Sequence, residues 1–353
     1  MEANPLDVED LRARVQKQLD AFLTEQAQRL DDIDEDLAPM VEALSALLAG
    51  GKRLRPAFCW WGWRGAGGED IEDAVVAATS LELLQACALI HDDVMDASDT
   101  RRGQPAAHRR FAALHGASGW TGSADAFGVG GAILLGDLCL SWADELLERS
   151  GLPLHGAARP VYDVMRTELM AGQYLDLLEQ ARGGGSVERA LRVVRFKSAK
   201  YTVERPLHLG IALAGGGSDL LSAGSAYGLP LGEAFQLRDD VLGVFGDPDE
   251  TGKPAGDDLR EGKRTVLVAL ALESASAAQA ELVSRHLGDP ALGDSGVAAL
   301  REVLTDTGAL SRVEALIAGL TDEALAALAR SSLSAPAREV LADLAVAATS
   351  RRG

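Results

Sequence analysis

Apolar residues recur at helical spacing almost from the start of this chain. Between Asp7 and Leu30, the positions Leu11, Val15, Leu19, Phe22 and Leu23 have amphipathic spacing, which predicts a surface or subunit-facing helix. From about Ile71 to Asp96 apolar residues run all round, which predicts a buried core helix. "HGASGWTGSADAFGVGGA" then breaks the pattern with glycines, before a second apolar helix through Leu134–Leu147. "ARGGGS" (Ala181–Ser186) and "AGGGS" (Ala214–Ser218) read as loops, and the alanine-rich tail from Ser274 to Ser350 as several short helices. Strand signals are scarce, and Ala, Leu, Glu and Arg recur throughout, so the chain is predicted to be all-α.

Length and composition narrow this picture. The 353 residues, 47% hydrophobic, can build one large or two smaller domains. With no helix-length repeat and no long linker, a single-domain helical bundle over 1–353 is the simpler reading. The acidic, polar start (MEANPLDVEDL) predicts no signal peptide. Glu82, Gln85 and Asp137 interrupt the two most apolar stretches, which predicts core helices rather than integral membrane segments. Cys59, Cys87 and Cys139 are scattered, without CxxC spacing, as expected of buried free thiols in a reducing cytoplasm. A formal charge of -19 argues against nucleic acid as a partner. It also requires that any anion-binding site gather its lysines and arginines locally.

Three charged clusters stand out. "GGKRLRP" (Gly50–Pro56) offers Lys52, Arg53 and Arg55 beside glycines that allow close backbone approach, a combination suited to phosphate. Alone it is a weak signal, and such a run is more often a solvated helix start. In "LIHDDVMDASDTRRG" (Leu89–Gly103), Asp92 and Asp96 share a helix face while Asp93 points elsewhere. Like charges at that spacing repel unless a cation neutralises them. Mg²⁺ suits the pair, since it takes one or two carboxylates and fills its octahedron with water and phosphate oxygens. Arg101 and Arg102 follow within one or two turns, close enough to meet the same phosphates. A fraying, solvent-facing helix end is the alternative, weakened by the apolar helix before it. The third cluster, Phe235–Thr265, repeats the theme with Asp239 and Asp240 after an apolar run and Lys253 and Lys263 beyond. Two such pairs predict two carboxylate walls across a cavity, with Mg²⁺ and a polyphosphate between them. Glu82 and Asp137 need partners if buried.

Taken in order, "GGKRLRP", "DDVMDASDTRRG", "GQYLD" (Gly172–Asp176), "KSA" (Lys197–Ala199), "FQLRDD" and "GKPAGDDLREGKRT" resemble the trans-isoprenyl diphosphate synthases, the polyprenyl synthetase family, from Gly50 to Leu270. The resemblance implies an all-helical isoprenoid synthase fold around a central cavity, a homodimer, and Mg²⁺-dependent condensation of isopentenyl diphosphate with an allylic diphosphate (dimethylallyl, geranyl or farnesyl). Position by position, it implies that Asp92 and Asp96 hold two Mg²⁺ ions and Asp239 a third. Lys52, Arg55, Gln85 and Arg102 match positions for isopentenyl diphosphate. Arg101, Lys197, Gln236, Lys253 and Lys263 match positions for the allylic diphosphate. Among these, Arg101, Lys197 and Gln236, with Ser198, are the expected catalytic groups. Gln173 and Asp176 match GQxxD, either as support for metal-bound water and lysine or as a core hydrogen bond. His91 is expected to pack structurally rather than act as a base.

Two departures from the family pattern are visible. The second motif, usually DDxxD, ends in Gly243, which lowers the negative charge there; Asp247 could partly compensate. Ser198 stands where threonine is usual and keeps the hydroxyl. Product length is expected to follow the helix before Asp92, where one turn, at about 1.5 Å per residue, is comparable to one isoprene unit. Cys87 and Ala88 are small, with Leu84 and Leu81 as a floor, which predicts geranylgeranyl diphosphate, with farnesyl or longer products as alternatives. A class I terpene cyclase would pair its aspartates with an Asn/Ser/Glu motif absent here. A non-catalytic partner subunit would have lost one aspartate motif, and both are present.

Overall fold

A 3₁₀ turn at Val8–Asp10 leads into helix α1 (Leu11–Asp31) in a computed structural model that describes residues 7–246 and 256–350. The predicted stripe of α1 is its buried face. Helices α2 (Ala38–Leu48) and α3 (Leu54–Gly65) precede α4 (Glu72–Met95), which is buried along nearly its whole length. A hairpin of two-residue strands, β1 (Thr100–Arg101) and β2 (Gln104–Pro105), then turns the chain into α5 (Ala107–Ala117) and α6 (Ala124–Arg149).

Helix α6 begins at Ala124, ten residues before the predicted start, so much of the glycine-rich stretch is helical. Its glycines are packing contacts rather than breaks. A Cβ on Gly128 would overlap the His108 carbonyl of α5, and one on Gly131 would lie 2.8 Å from the Phe111 ring. Helices α4 and α6 are both long and apolar enough to cross a membrane by length and composition. In the fold α4 is a core helix, whereas α6 buries Leu135, Cys139 and Ala143 and leaves Phe127, Ile133 and Leu134 exposed.

Next come α7 (Ala158–Arg182), α8 (Val187–Val193), a π-helix over Val194–Glu204, α9 (Arg205–Leu213) and α10 (Ser218–Phe245). The two glycine-rich loops fall at the end of α7 and between α9 and α10, as predicted. Beyond them lie α11 (Asp257–Arg260), α12 (Val266–Ser274), α13 (Ala277–His286), α14 (Asp294–Asp306), α15 (Ala309–Arg330) and α16 (Ala335–Thr349). The tail is helical, but α15 spans 22 residues, longer than the short helices its composition predicts.

The buried apolar residues form two groups. One lies among α1, α3, α4, α6, α7 and α9; the other gathers the end of α10 with α12, α14 and α15. Helix α10 joins them, contributing Tyr227 and Leu231 to the first and Leu237, Val241 and Val244 to the second. A cavity opens where the two groups meet.

Candidate active site

The cavity measures about 1020 Å³, and α4 lines it with Gln85, Ala88, Leu89 and Asp92, residues three or four apart on one helical face. Asp92 is the hub of its wall. Its Oδ1 accepts from Gln173 at 2.9 Å and from Lys197 Nζ at 3.0 Å, and Lys197 also donates to Asp176 Oδ2 at 2.6 Å. Gln173 and Asp176 of α7 therefore support the site rather than the core. Burial works to raise the Asp92 pKa, but Lys197, Lys263 and Arg101 outweigh it and hold the carboxyl well below its usual range. Burial likewise opposes the charge on Lys197, and Asp92 and Asp176 reverse that, keeping the ammonium firmly protonated.

Arg101 and Arg102 follow the end of α4 on the hairpin. Its register pairs Arg101 with Gln104, and its two central residues, Arg102 and Gly103, have φ of 53° and 71°, the left-handed geometry of a two-residue turn. The turn brings Arg101 back onto α4, where its Nε donates to Asp93 at 2.8 Å and its Nη2 reaches Asp92 at 3.4 Å. Asp93 indeed points away from the shared face of Asp92 and Asp96, and its task is to fix this guanidinium. Arg102 points the other way and donates to the carbonyls of Leu47 and Gly50, at 2.7 and 2.6 Å.

Lys197 and Ser198 sit on the π-helix, a wide coil often found at functional sites. Its breadth is matched by glycines on both flanking helices. A Cβ on Gly172 of α7 would overlap the Lys197 backbone, and one on Gly232 of α10 would lie 2.6 Å from the Ala199 Cα. With those side chains absent, Val194, Lys197, Ser198 and Tyr201 all reach the cavity.

The opposite wall comes from α10 and α11, with Gln236, Asp239, Asp240 and Gly243 facing Asp257, Asp258 and Lys263. Gln236 donates to Asp240 at 2.7 Å. Burial lifts the Asp240 carboxyl to about 7 against that hydrogen bond, with Asp258 and Asp239 adding to the rise. Lys263 ties the two walls together: its Nζ lies 2.6 Å from Glu261, 3.2 Å from Asp258 and 3.6 Å from Asp96. Glu261 in turn accepts from Ser98, just past the first motif, at 2.6 Å. Asp96 caps α4 with its side chain 1% exposed, and neither carboxylate oxygen has a hydrogen-bond partner. Burial, then the charge of Asp92, raise its pKa to about 6, with Lys263 acting against them.

A second cationic patch lies at the start of α3. Lys52 and Arg55 line the cavity beside Gln85 and Arg102, whose grip on Gly50 shapes the loop beneath them. Arg55 donates to Thr202 at 2.7 Å and stacks 4.2 Å over the Tyr201 ring. Arg53, the cation of this cluster to which the resemblance gives no ligand, has a different partner. It turns inward to pair with buried Glu82, and so supplies the partner that Glu82 requires. Asp137, largely exposed, needs none.

Of the expected site residues, Lys52, Arg55, Gln85, Asp92, Arg101, Arg102, Lys197, Ser198, Gln236, Asp239 and Lys263 line this one cavity. Asp96 stands behind Lys263 instead of on the wall, and Lys253 and Asp247 lie outside the described residues. Cys87 does not line the cavity as expected: it turns from Ala88 toward His91, 3.8 Å from its Nδ1, and Leu84 and Leu81 are buried in helix packing. His91 packs, with its Nε2 3.1 Å from the Ile133 carbonyl. Sequence reasoning assigned no role to Asp258, Glu261, Tyr201 or Thr202. Asp258 and Glu261 lay within a motif already recognised, but nothing marked Tyr201 and Thr202.

Residues 38–304 match the model of the polyprenyl synthetase family. The chain belongs to that family. This polyprenyl synthetase is similar to a geranylgeranyl pyrophosphate synthase from Corynebacterium glutamicum, solved with isoprenyl diphosphate and magnesium. They share 44% identity over 97% of this chain and 99% of that one, with a TM-score of 0.94. A geranylgeranyl pyrophosphate synthetase from Pyrococcus horikoshii superposes with a TM-score of 0.78 at 30% identity, over 98% of this chain and all of that one. A geranylfarnesyl diphosphate synthase from Aeropyrum pernix is 34% identical over 278 residues, 77% of this chain and 81% of its own. The synthetase is thus a trans-prenyltransferase of the isoprenyl diphosphate synthase class, with the all-α architecture that its motifs imply.

Proposed function

We propose that this chain condenses isopentenyl diphosphate with an allylic diphosphate to all-trans geranylgeranyl diphosphate, using Mg²⁺. The observation that carries this reading is that Asp92 and Asp239 share one cavity with two cationic patches, one for each diphosphate. Asp92 and Asp96 would hold two Mg²⁺ ions and Asp239 a third. The donor set suits this metal: Asp92 and Asp239 line the cavity, and both oxygens of Asp96, behind Lys263, are without a hydrogen bond. Among the described residues no group of three or more His, Cys, Asp or Glu is placed to hold a metal ion by itself; Mg²⁺ needs only one or two carboxylates, with phosphate oxygens and water completing its shell. Bound there, Mg²⁺ would supply Lewis-acid stabilisation of the departing diphosphate.

The protein's own groups do the rest. Lys52, Arg55, Gln85 and Arg102 seat isopentenyl diphosphate, with Arg102 braced by two carbonyls and Arg55 by Thr202. Arg101, Lys197, Gln236 and Lys263, with Lys253, seat the allylic diphosphate. Arg101 and Lys197 are held charged and oriented before substrate arrives, so they meet negative charge as the allylic carbon–oxygen bond breaks, with little reorganisation. Ser198 and Gln236 offer dipoles to the allylic cation. The departed diphosphate can take the proton lost after the double bond attacks. The small Ala88 on the wall, and the geranylgeranyl synthases among similar proteins, support the product assignment.

We also read the chain as one domain, a homodimer through the exposed apolar face of α6, and cytoplasmic, in keeping with its three buried free thiols. The test is incubation of the purified full chain with Mg²⁺, isopentenyl diphosphate and each allylic primer, followed by phosphatase treatment and chromatography. Geranylgeraniol is the expected alcohol, and farnesol or a longer alcohol would revise the product. A hydrocarbon or alcohol formed without isopentenyl diphosphate, in samples taken before phosphatase treatment, would indicate a cyclase. No product from the chain alone would indicate a partner subunit and overturn the assignment.

A further inference from the structure

On the side of the π-helix turned from the cavity, four elements close a ring of ion pairs and hydrogen bonds. Glu168 of α7 accepts from Arg205 of α9 at both oxygens, from Nε at 2.7 Å and from Nη2 at 2.9 Å. Lys200 of the π-helix lies 3.0 Å from Glu168 and 3.2 Å from Glu204. Ser225 of α10 donates to Glu204 at 2.8 Å and lies 3.1 Å from Nε2 of His208, whose Nδ1 is 3.2 Å from Nη1 of Arg205. A guanidinium can only donate, so Nδ1 accepts, Nε2 carries the proton, and the imidazole donates to Ser225. The ring thus runs from Glu168 through Arg205, His208, Ser225, Glu204 and Lys200 back to Glu168. Glu204 and His208 are buried, and two carboxylates balance two cations. Burial works to raise the Glu168 pKa, but Arg205 and Lys200 outweigh it and hold the carboxyl below its usual range.

This ring bears on the width of the coil. The Arg205 N–H bonds to the Lys200 carbonyl, five residues back, which is the bond of a π-turn. At about 3.6 residues per turn, an α-helix would set Lys197 and Lys200 only about 60° apart, with both ammonium groups toward one side. The wider turn separates them, Lys197 to the cavity and Lys200 to Glu168 and Glu204. Helix α10 admits the extra breadth through glycines four residues apart. A Cβ on Gly224 would stand 3.0 Å from the His208 ring, one on Gly228 2.9 Å from the Glu204 Cα, and one on Gly232 2.6 Å from the Ala199 Cα.

We propose that the ring is a positioning device for the reaction: by holding Lys200 and Glu204 behind the wall, it keeps the coil wide and so places Lys197 and Ser198 in front. The same coil carries Tyr201 and Thr202, which brace Arg55 of the second cationic patch. Glu168 is a positioning residue, because it grips both cations of the ring from a different helix and does not line the cavity. The proposal rests on the functional reading above, which gives Lys197 and Arg55 to the two diphosphates. Opening the ring should therefore disturb both substrates together.

Steady-state kinetics of the full chain, run well below the melting temperature of every variant, test this. Glu168→Gln should raise KM for both diphosphates and lower kcat, with a loss of about 10–100-fold in kcat/KM. It also leaves two cations facing one carboxylate, so its melting temperature should fall. The double variant Glu168→Gln/Lys200→Met restores the charge balance but leaves the ring open; its melting temperature should recover while its kinetic constants do not. Kinetic constants that recover along with the melting temperature, or a Glu168→Gln protein with wild-type kinetics, would overturn the proposal and leave the ring to stability alone. Should Glu168→Gln fail to fold, the double variant decides, and wild-type kinetics there would overturn the proposal. A wild-type chain that forms no product from the two diphosphates would overturn the functional reading, and this inference with it.

Discussion

Asp96 shows how a single side chain can be poised at the expense of the fold. Its pKa is lifted from an ordinary 3.8 to about 6, so in the metal-free protein it remains protonated at pH values where the unfolded chain has already ionised. Its contribution to stability therefore falls as pH climbs from about 4 to about 6, and stays low above that. Asp240, lifted to about 7, acts with the same sign. Asp96→Asn should accordingly stabilise the metal-free protein at pH 8 by about 1–3 kcal/mol and have little effect near pH 4, as measured by denaturant titration at both values. Lys197 is the opposite case, an ammonium that Asp92 and Asp176 keep protonated and that, on the proposed mechanism, meets the charge of the transition state. Lys197→Ala should lower kcat by about 10²–10³-fold while leaving the melting temperature within a few degrees. Ala88→Phe should shorten the product, read by chromatography of the dephosphorylated alcohols; an unchanged profile would refute the placement of the growing chain along α4. Residues in motifs were legible because their chemistry is carried by type and order. The partner of Arg53 was not, because nothing in the order of letters joins it to Glu82, 29 residues along the chain.

At the scale of elements, periodicity found α1, α4 and the glycine-rich loops, where burial follows directly from spacing. It failed where a glycine serves a neighbouring helix. Gly128 and Gly131 read as breakers, yet they are the contact surface on which α5 lies. The π-helix was invisible for a related reason: its wide turns are imposed by packing between α7 and α10, and its sequence carries no period of its own. Gly172 is the residue to test. Because a side chain there meets the Lys197 backbone rather than a flexible tip, Gly172→Val should destabilise the protein by about 3 kcal/mol or more. It should also reduce activity beyond the loss of folded protein, since the helix bearing Lys197 and Ser198 must move.

For the whole molecule, net charge and cavity charge have opposite signs. A chain of formal charge -19 places Lys52, Arg55, Arg101, Arg102, Lys197 and Lys263 around one hollow, the local gathering that an acidic anion-binding protein requires. The outer surface shows a different anomaly. Phe127, Ile133 and Leu134 leave α6 with an exposed apolar face, and Trp120 lies beside Phe127, their ring centroids 5.3 Å apart. Leu134→Glu should shift the protein from dimer to monomer in light scattering; a wild-type chain that already runs as a monomer would remove this interface. The hairpin has a last consequence. Arg101 leans on one acidic helix and Arg102 on the loop beneath the other patch, and a single peptide bond joins them. On the proposed assignment, the two arginines that would meet the two diphosphates are thus neighbours in the chain, with Cα atoms about 3.8 Å apart. Lengthening that tip by one residue should uncouple the two substrates while leaving each able to bind.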